Sequence, residues 1–312
     1  MTQATASAGH VGHAPEHPTA PKEHKDPVFY RLLNKWLPRI RRRLLPHNRF
    51  GDNVYHRLLF LSKHRRMPTD RMLWNDVLYR LKTSDEILDP LRVFVSDKEL
   101  VKIYIKATIG DEYNVPTLAV LRSADQVDDF NFPARCIIKP THASAQYILR
   151  RAGEPIDRER IKSWFRLNYY RAGREVNYKQ LLPKVIVEPL VFDNADLSDY
   201  RFFCWHGVPK LIQVDMDRHT HHTRKILDTD WNEMDFSILY PRSNKPLARP
   251  DTLPEMLRLA RALSAPFSFV RIDLYSDNQR VIAGEITNVS ANAGGIFRPL
   301  SAEKKASEMV FR

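Results

Sequence analysis

Cysteine is almost missing from this 312-residue chain: Cys136 and Cys204 are its two copies, and both sit in apolar runs. Two cysteines placed this way supply neither a disulfide framework nor a thiolate zinc site, and they suit a reducing compartment. Long hydrophobic runs are missing as well. No stretch approaches the roughly 20 apolar residues that a membrane-spanning helix needs. The opening MTQATASAGHVGHAPEHPTAPKEH has no hydrophobic segment of the kind a secretory signal requires. The expectation is a cytoplasmic protein. No internal repeat occurs, nor any nucleic-acid motif or aromatic–basic repeat.

What is present is an ordinary globular composition, 43% hydrophobic and 28% charged, with length for a large core and about two domains. The formal net charge is +12, and the first fifty residues carry nine Lys/Arg against Glu16, Glu23 and Asp26. Such a balance suits nucleotides, acidic polymers, anionic lipid or nucleic acid as partners.

Residues 1–26, rich in Ala, His, Pro and Thr, read as a disordered tail. In DPVFYRLLNKWLPRIRRRLLPHNRF the residues Phe29, Leu32, Leu33, Trp36, Leu37, Ile40 and Leu44 recur at helical spacing beside Arg39, Arg41, Arg42 and Arg43. A basic helix with an apolar stripe and a tryptophan packs on its own core or lies on an anionic membrane surface, at the inner face of a membrane. Pro38 should kink it or start a second helix. Residues 55–90 read as helical, and Ser96 or Asp97 should cap the next helix, where Lys98, Lys102 and Lys106 fall one turn apart. A short buried strand ends at Lys139, before the loop THASAQ; YILRR and PKVIVEPLV are further strands, and DRERIKSWFRLNYYRA reads as helical. DYRFFCWHGVPKLIQVDMDR reads as a hairpin turning at His206-Gly207. Thr252 and Glu255 form a capping box for a helix over 252–263.

FVRIDLYSDNQRVIAGEITN, Phe269 to Asn288, reads as a second hairpin with one acid in each strand. Alternation puts Val270, Ile272 and Leu274 on one face and Arg271 and Asp273 on the other. If Ile282 and Ile286 share the core with Ile272, the turn has an odd number of residues, such as Asp277-Asn278-Gln279. Asp273 and Glu285 are then diagonal neighbours on one face. Two adjacent carboxylates repel unless a cation or proton intervenes. A solvated outer face is the other reading of the same pattern.

The ordered set SDKELVKIYI, IIKPTHAS, VIVEPL, DYRFFCWHG, VDMDR, RIDLY and GEITN resembles that of ATP-grasp enzymes, in particular the TupA-like branch tied to teichuronopeptide and other surface-polysaccharide biosynthesis. The resemblance implies an α+β ATP-grasp fold in which two subdomains clamp a nucleotide, preceded by an N-terminal helical segment. Its expected divisions are a tail at 1–26, a basic amphipathic and helical region at 27–90, one subdomain at 91–180 and a second, with the metal-binding hairpin, at 181–312. It further implies an ATP-dependent carboxylate–amine ligase working through an acyl phosphate, with Mg²⁺ or Mn²⁺, on a polysaccharide precursor. By the same resemblance Lys139 is the phosphate-binding lysine, Lys102 matches the nucleotide-binding basic residue of the helix that SDKELVK begins, Glu188 stands at the hinge by the adenine edge, and Asp199 and Arg201 follow it. Arg218 matches the arginine near the transferred phosphoryl group, Arg201 and Arg271 join it as catalytic candidates, and Asp273 and Glu285 hold metal. The wider family's third metal ligand is often an Asn two residues after the Glu. Here Thr287 has that position and Asn288 follows, so either is the candidate. THASAQ also lacks the glycine common in the family's loop. Two other readings stand beside this one: a metal-dependent glycosyltransferase using Asp215 and Asp217, and a catalytically silent binding protein. Zinc at His219, His221 and His222 has no completing ligand.

Overall fold

The computed structural model describes residues 27–40, 44–191, 198–217 and 221–312. The proposed tail at 1–26 therefore lies outside the described residues.

Helices α1 (Val28–Arg39), α2 (Arg49–His64) and α3 (Trp74–Thr83) come first. Pro38 falls inside the last turn of α1. Asn48 begins α2 by accepting from the Gly51 N–H at 3.0 Å, and Arg65 ends it in the left-handed conformation, φ 58°. The helical signal over 55–90 is thus broken before α3. Next, Asp89 caps α4 (Pro90–Ser96), a helix that the sequence pattern did not separate. Ser96 is its last residue, and Asp97 caps α5 (Leu100–Ile109), its Oδ1 accepting from the Glu99 and Leu100 N–H groups at 2.8 and 3.1 Å.

Four strands, β1 (Ala119–Leu121), β2 (Cys136–Pro140), β3 (Ile148–Arg150) and β4 (Val185–Glu188), form an antiparallel sheet in the order β1-β4-β2-β3. The segment between β3 and β4 holds two helices where the sequence suggested one. They are α7 (Arg158–Trp164), which follows the short α6 (Gln126–Asp129), and α8 (Tyr169–Gly173). Asn168 restarts the helix by accepting from the Arg171 N–H at 3.2 Å.

The second sheet has five strands: β5 (Ser198–Trp205), β6 (Val208–Met216), β7 (Thr223–Leu227), then, after the short β8 (Ser237–Ile238), β9 (Phe269–Ser276) and β10 (Val281–Thr287), in the order β10-β9-β5-β6-β7. The β5–β6 turn is the expected pair His206-Gly207, with φ of 44° and 76°. Positive φ at both central residues matches the twist of a two-residue hairpin. Phe202, Ile212, Val270, Ile272 and Leu274 line one face and pack with Val101 and Ile105 of α5 and with α9 (Leu253–Ser264). Each such buried side chain contributes about 1.5–3 kcal/mol of transfer free energy. Thr252 does not form the expected capping box: its hydroxyl lies 2.8 Å from that of Ser276, and Glu255 accepts from Tyr113 at 2.7 Å. β11 (Phe297–Arg298) pairs with β8, and α10 (Ala302–Val310) closes a second cluster around Trp74, Phe203 and Phe269.

The β9–β10 turn differs from the odd-length turn expected. Ser276 pairs with Val281, which leaves four residues in the turn. Val281 and Ala283 therefore share the core face with Leu274, and Ile282 does not. A bulge at Gly284 restores the parity, because Ile286 then opposes Ile272 and Glu285 directly opposes Asp273. A bulge inserts one extra residue and shifts the register. Glycine suits this place, since a Cβ there would lie 2.4 Å from Tyr275 Cε2.

Candidate active site

The polar face of the five-stranded sheet collects charge by register. Arg201 of β5 opposes Asp273 of β9 on one side and Gln213 of β6 on the other; Thr287 opposes Arg271, and Asp215 opposes Arg224. Arg271 grips Asp273 with two hydrogen bonds of 2.6 Å. Arg201 reaches Asp199 at 2.6 Å, Asp215 at 2.8 Å and Asp273 at 3.5 Å. Burial works against its charge, but Asp273, Asp199 and Asp215 more than offset this and hold Arg201 above its ordinary value. Burial pushes Asp273 up to about 6, against the pull of Arg271 and Arg201. Burial lowers Arg224, whose Nε donates to Asp215 at 2.5 Å.

Glu285 is different. Directly across from Asp273, it makes no hydrogen bond or ion pair among the described residues, and it is partly exposed. Its free carboxylate is the open end of the row. The third-ligand expectation divides. Thr287 stays on this face and accepts from Arg271 at 3.0 Å. Asn288 does not join the acids: it is buried on the other side, its Oδ1 accepting from Arg92 at 3.0 Å and its Nδ2 donating to the Arg92 carbonyl and the Ser96 hydroxyl. Among the described residues no three His, Cys, Asp or Glu side chains are grouped to hold a metal ion.

The lysines assemble on the other sheet. Ile137 opposes Glu188 across β2 and β4, so Lys139, two residues on, is its diagonal neighbour on the same face. Lys139 and Lys102 both pair with the Glu188 carboxylate, Lys102 at 2.5 Å. Glu188 is buried, yet the two ammonium groups outweigh that and hold it below the ordinary glutamate value. Burial lowers Lys102, with Glu188 opposing. A neighbouring clasp escaped the sequence reading: Lys184 joins Glu99 at 2.5 Å and Asp97 at 3.2 Å, and Asp97 accepts from Thr141 at 2.9 Å. It ties the start of α5 to the loop after β2. In that glycine-free loop Ala145 takes a left-handed conformation, φ 58°.

Lys98 lies near enough to both clusters to feel their charge. Lys98 donates to the Ala143 carbonyl, and its charge is felt by Glu285 on one side and by Lys139 and Glu188 on the other. Burial lowers Lys98 from the ordinary lysine value. Beside Arg201 and Arg271 a cavity of about 240 Å³ opens, lined also by Asp215, His222, Arg224 and Ser290. His222 stacks on Tyr240 with ring centres 3.6 Å apart. Ser290 starts a turn in which Ala291, Asn292 and Ala293 are all left-handed, φ 50°, 55° and 58°. Lys82 of α3 binds the Asn292 side chain and its carbonyl, and His64 of α2 donates to the Ala293 carbonyl at 2.8 Å.

Of the remaining sequence candidates, Arg218 and His219 lie outside the described residues. Asp215 and Asp217 do not converge: Asp215 faces Arg201 and Arg224, whereas Asp217 pairs with Lys245 at 2.8 Å. Cys136 and Cys204 are both free and buried.

A sequence family described as TupA-like ATP-grasp matches residues 77–306. The chain is similar in structure to D-alanine–D-alanine ligase from Helicobacter pylori, at 17% identity and TM-score 0.38, covering 70% of this chain and 62% of that one. It is similar to the D-alanine–D-alanine ligase of Bacillus anthracis complexed with ATP at 14% identity and TM-score 0.38, covering 70% of this chain and 64% of that one. It is similar also to L-amino acid ligase from Bacillus licheniformis at 12% identity and TM-score 0.41, covering 71% and 51% of the two chains. The matched part thus spans less than two thirds of each of these ligases. No curated protein sequence matches. The family match extends over most of the chain and takes in both sheets, the lysine pair and the two opposed acids: this protein belongs to the TupA-like ATP-grasp family.

Proposed function

We propose that the chain is an ATP-dependent ligase that joins a carboxylate to an amine through an acyl phosphate. One observation carries the reading: one sheet gathers a lysine pair on a buried acid, the other sets two acids directly opposite each other, and Lys98 feels the charge of both groups. Phosphoryl transfer depends on positioning and on neutralising phosphate charge. Lys102 and Lys139 offer that charge, and we assign Arg271 and Arg201 to the transferred group. In that sequence a carboxylate oxygen attacks the γ-phosphorus, the bond to the bridging oxygen breaks and ADP leaves. The amine then attacks the acyl carbon, loses a proton and expels phosphate. The two sheets would be the two halves of the clamp. We place their joint after Glu188 rather than at 180, because β4 pairs within the four-stranded sheet.

The residues fit Mg²⁺. This ion is usually held by one or two carboxylates, with phosphate oxygens and water completing the shell. Glu285 is unengaged, and Asp273, with about four lone-pair sites, has room beyond the two that Arg271 uses and the longer 3.5 Å approach of Arg201. When bound, Mg²⁺ neutralises charge on the phosphates. The substrate beyond ATP we take to be a surface-polysaccharide precursor, on the family resemblance. The 240 Å³ cavity beside Arg271 has the size of a small acid.

The test is thermal stabilisation by ATP–Mg²⁺, compared with UDP-sugars and Mn²⁺, for the natural protein and for Asp273→Asn/Glu285→Gln. At a hundred times its Kd, ATP–Mg²⁺ adds about 2.7 kcal/mol, a rise of about 5 °C. The double variant should lose that rise. An unchanged rise would remove the metal assignment, and a rise with a nucleotide sugar alone would replace the ligase reading.

A further inference from the structure

Helix α1 has two apolar faces, and the fold uses one of them. Leu37 is buried where α1 meets α2, and Tyr30 donates to the Arg65 carbonyl at 3.3 Å with the Arg65 guanidinium 4.2 Å over its ring. The other face is uncovered. Val28, Phe29, Leu32 and Trp36 are 60%, 59%, 50% and 47% exposed. Phe29, Leu32 and Trp36 stand at i, i+3 and i+7, which makes a continuous stripe along one side of a helix. Leu44 and Phe50 extend the exposed apolar set, at 71% and 70%. Single exposed apolar residues are ordinary, but a contiguous aromatic stripe marks an interaction surface.

Charge decides what kind of surface it meets. From Pro27 to Gly51 the sequence has seven Arg or Lys and no Asp or Glu. Three of the seven, Arg31, Lys35 and Arg39, lie on α1 itself, and the Arg39 guanidinium sits 4.8 Å over the Trp36 ring. No helix among the described residues is long and apolar enough to cross a membrane. Of the seven, Arg49 pairs with Asp85 at 2.6 Å, so six carry the local excess. A short helix with Phe, Leu and Trp on one face, in a basic stretch with no acid of its own, is built to lie in the plane of an anionic bilayer, apolar side down. We propose that the exposed face of α1 docks the protein on an anionic lipid surface, with Phe29, Leu32 and Trp36 entering the headgroup–acyl boundary and the basic residues facing the lipid phosphates. This inference is independent of the ligase reading.

The test uses the full chain and large unilamellar vesicles, of phosphatidylcholine alone or with about 30% phosphatidylglycerol, in about 0.1 M salt. The protein should sediment with the anionic vesicles at least tenfold more strongly than with neutral ones, and raised salt should weaken it. Phe29→Ser/Leu32→Ser/Trp36→Ser should abolish binding while keeping the thermal midpoint, because these side chains are solvent-exposed. Lys35→Gln/Arg39→Gln should weaken binding about 25-fold, at about fivefold for each basic residue removed. The proposal fails if the natural protein does not sediment with anionic vesicles, if it binds neutral vesicles equally, or if the triple variant binds undiminished. It also fails if light scattering shows a dimer that the triple variant dissolves, since a second copy would then cover the face.

Discussion

Consider replacing Glu188 by Gln. The carboxylate is buried, with a side chain 3% exposed, between Lys102 and Lys139, whose side chains keep 16% and 22% exposure. Glutamine preserves the shape and turns one of its two oxygens into a donor, which faces an ammonium group. Removing one partner of a fully buried pair costs about 3–5 kcal/mol. Here water reaches both lysines, so screening cuts this to about 2–3 kcal/mol. For a domain of this size that lowers the thermal midpoint by about 4–6 °C. The assay is thermal unfolding of the natural protein, Glu188→Gln, Lys139→Met and the double variant, taken as a cycle. A coupling of about 1 kcal/mol or more is expected. The pH dependence has a definite sign. Glu188 is held below its unfolded value of 4.5, so its contribution is full above that pH and is lost as pH falls through the folded value. The gap between natural protein and variant should therefore close in acid. Equal midpoints at neutral pH, or single effects that simply add, would refute the idea that the carboxylate balances the lysine pair.

Three further outcomes are expected. Gly284→Ala puts a Cβ 2.4 Å from Tyr275 Cε2, which should cost about 1–3 kcal/mol and reduce ATP–Mg²⁺ stabilisation by disturbing the Glu285–Asp273 opposition; Tyr275→Ala should recover much of both in thermal melts, and no recovery would mean that the ring is not the obstacle. Asn288→Ala should destabilise by about 2–3 kcal/mol through its lost bonds to Arg92 and Ser96, yet leave the Mg²⁺ dependence of ATP binding as it was; a lost Mg²⁺ dependence would restore it as a ligand. Buried His56, whose Nε2–H donates to the Arg174 carbonyl at 2.9 Å, is held well below 6.5 mainly by its burial, so stability should fall as pH drops below 6.5, by up to about 1.4 kcal/mol per unit, and His56→Gln should show a flatter profile.

The sequence made some of this legible through periodicity and some not at all. Alternation in β9 assigned Arg271 and Asp273 to one face, and the positive-φ pair His206-Gly207 announced its own turn. Lys139 and Glu188 were marked by motif order, but their pairing depends on the antiparallel register of β2 and β4, a contact between segments far apart in the chain. The bulge at Gly284 was hidden because a glycine between two apolar residues reads equally as a strand residue; only its closeness to Tyr275 distinguishes the two. Asn288 looked like a ligand one position late. Its true partners, Arg92 and Ser96, sit on α4, which the sequence pattern never separated from the helix after it. Glu255 misled for the same reason: a cap box is local, whereas its real partner Tyr113 is not.

The left-handed turn at Ala291–Ala293 sets how large a working piece of this chain must be. Three non-glycine residues held at positive φ relax unless something outside the turn restrains them. The restraints come from α2 and α3, through His64 and Lys82, and the residues matching the family begin only at 77. A fragment cut to the matched region would keep both sheets, both lysines and both acids, yet lose His64 and leave the cavity wall at Ser290 and Ala291 less firmly held. The N-terminal helices therefore belong to the smallest unit in which substrate selection should be studied.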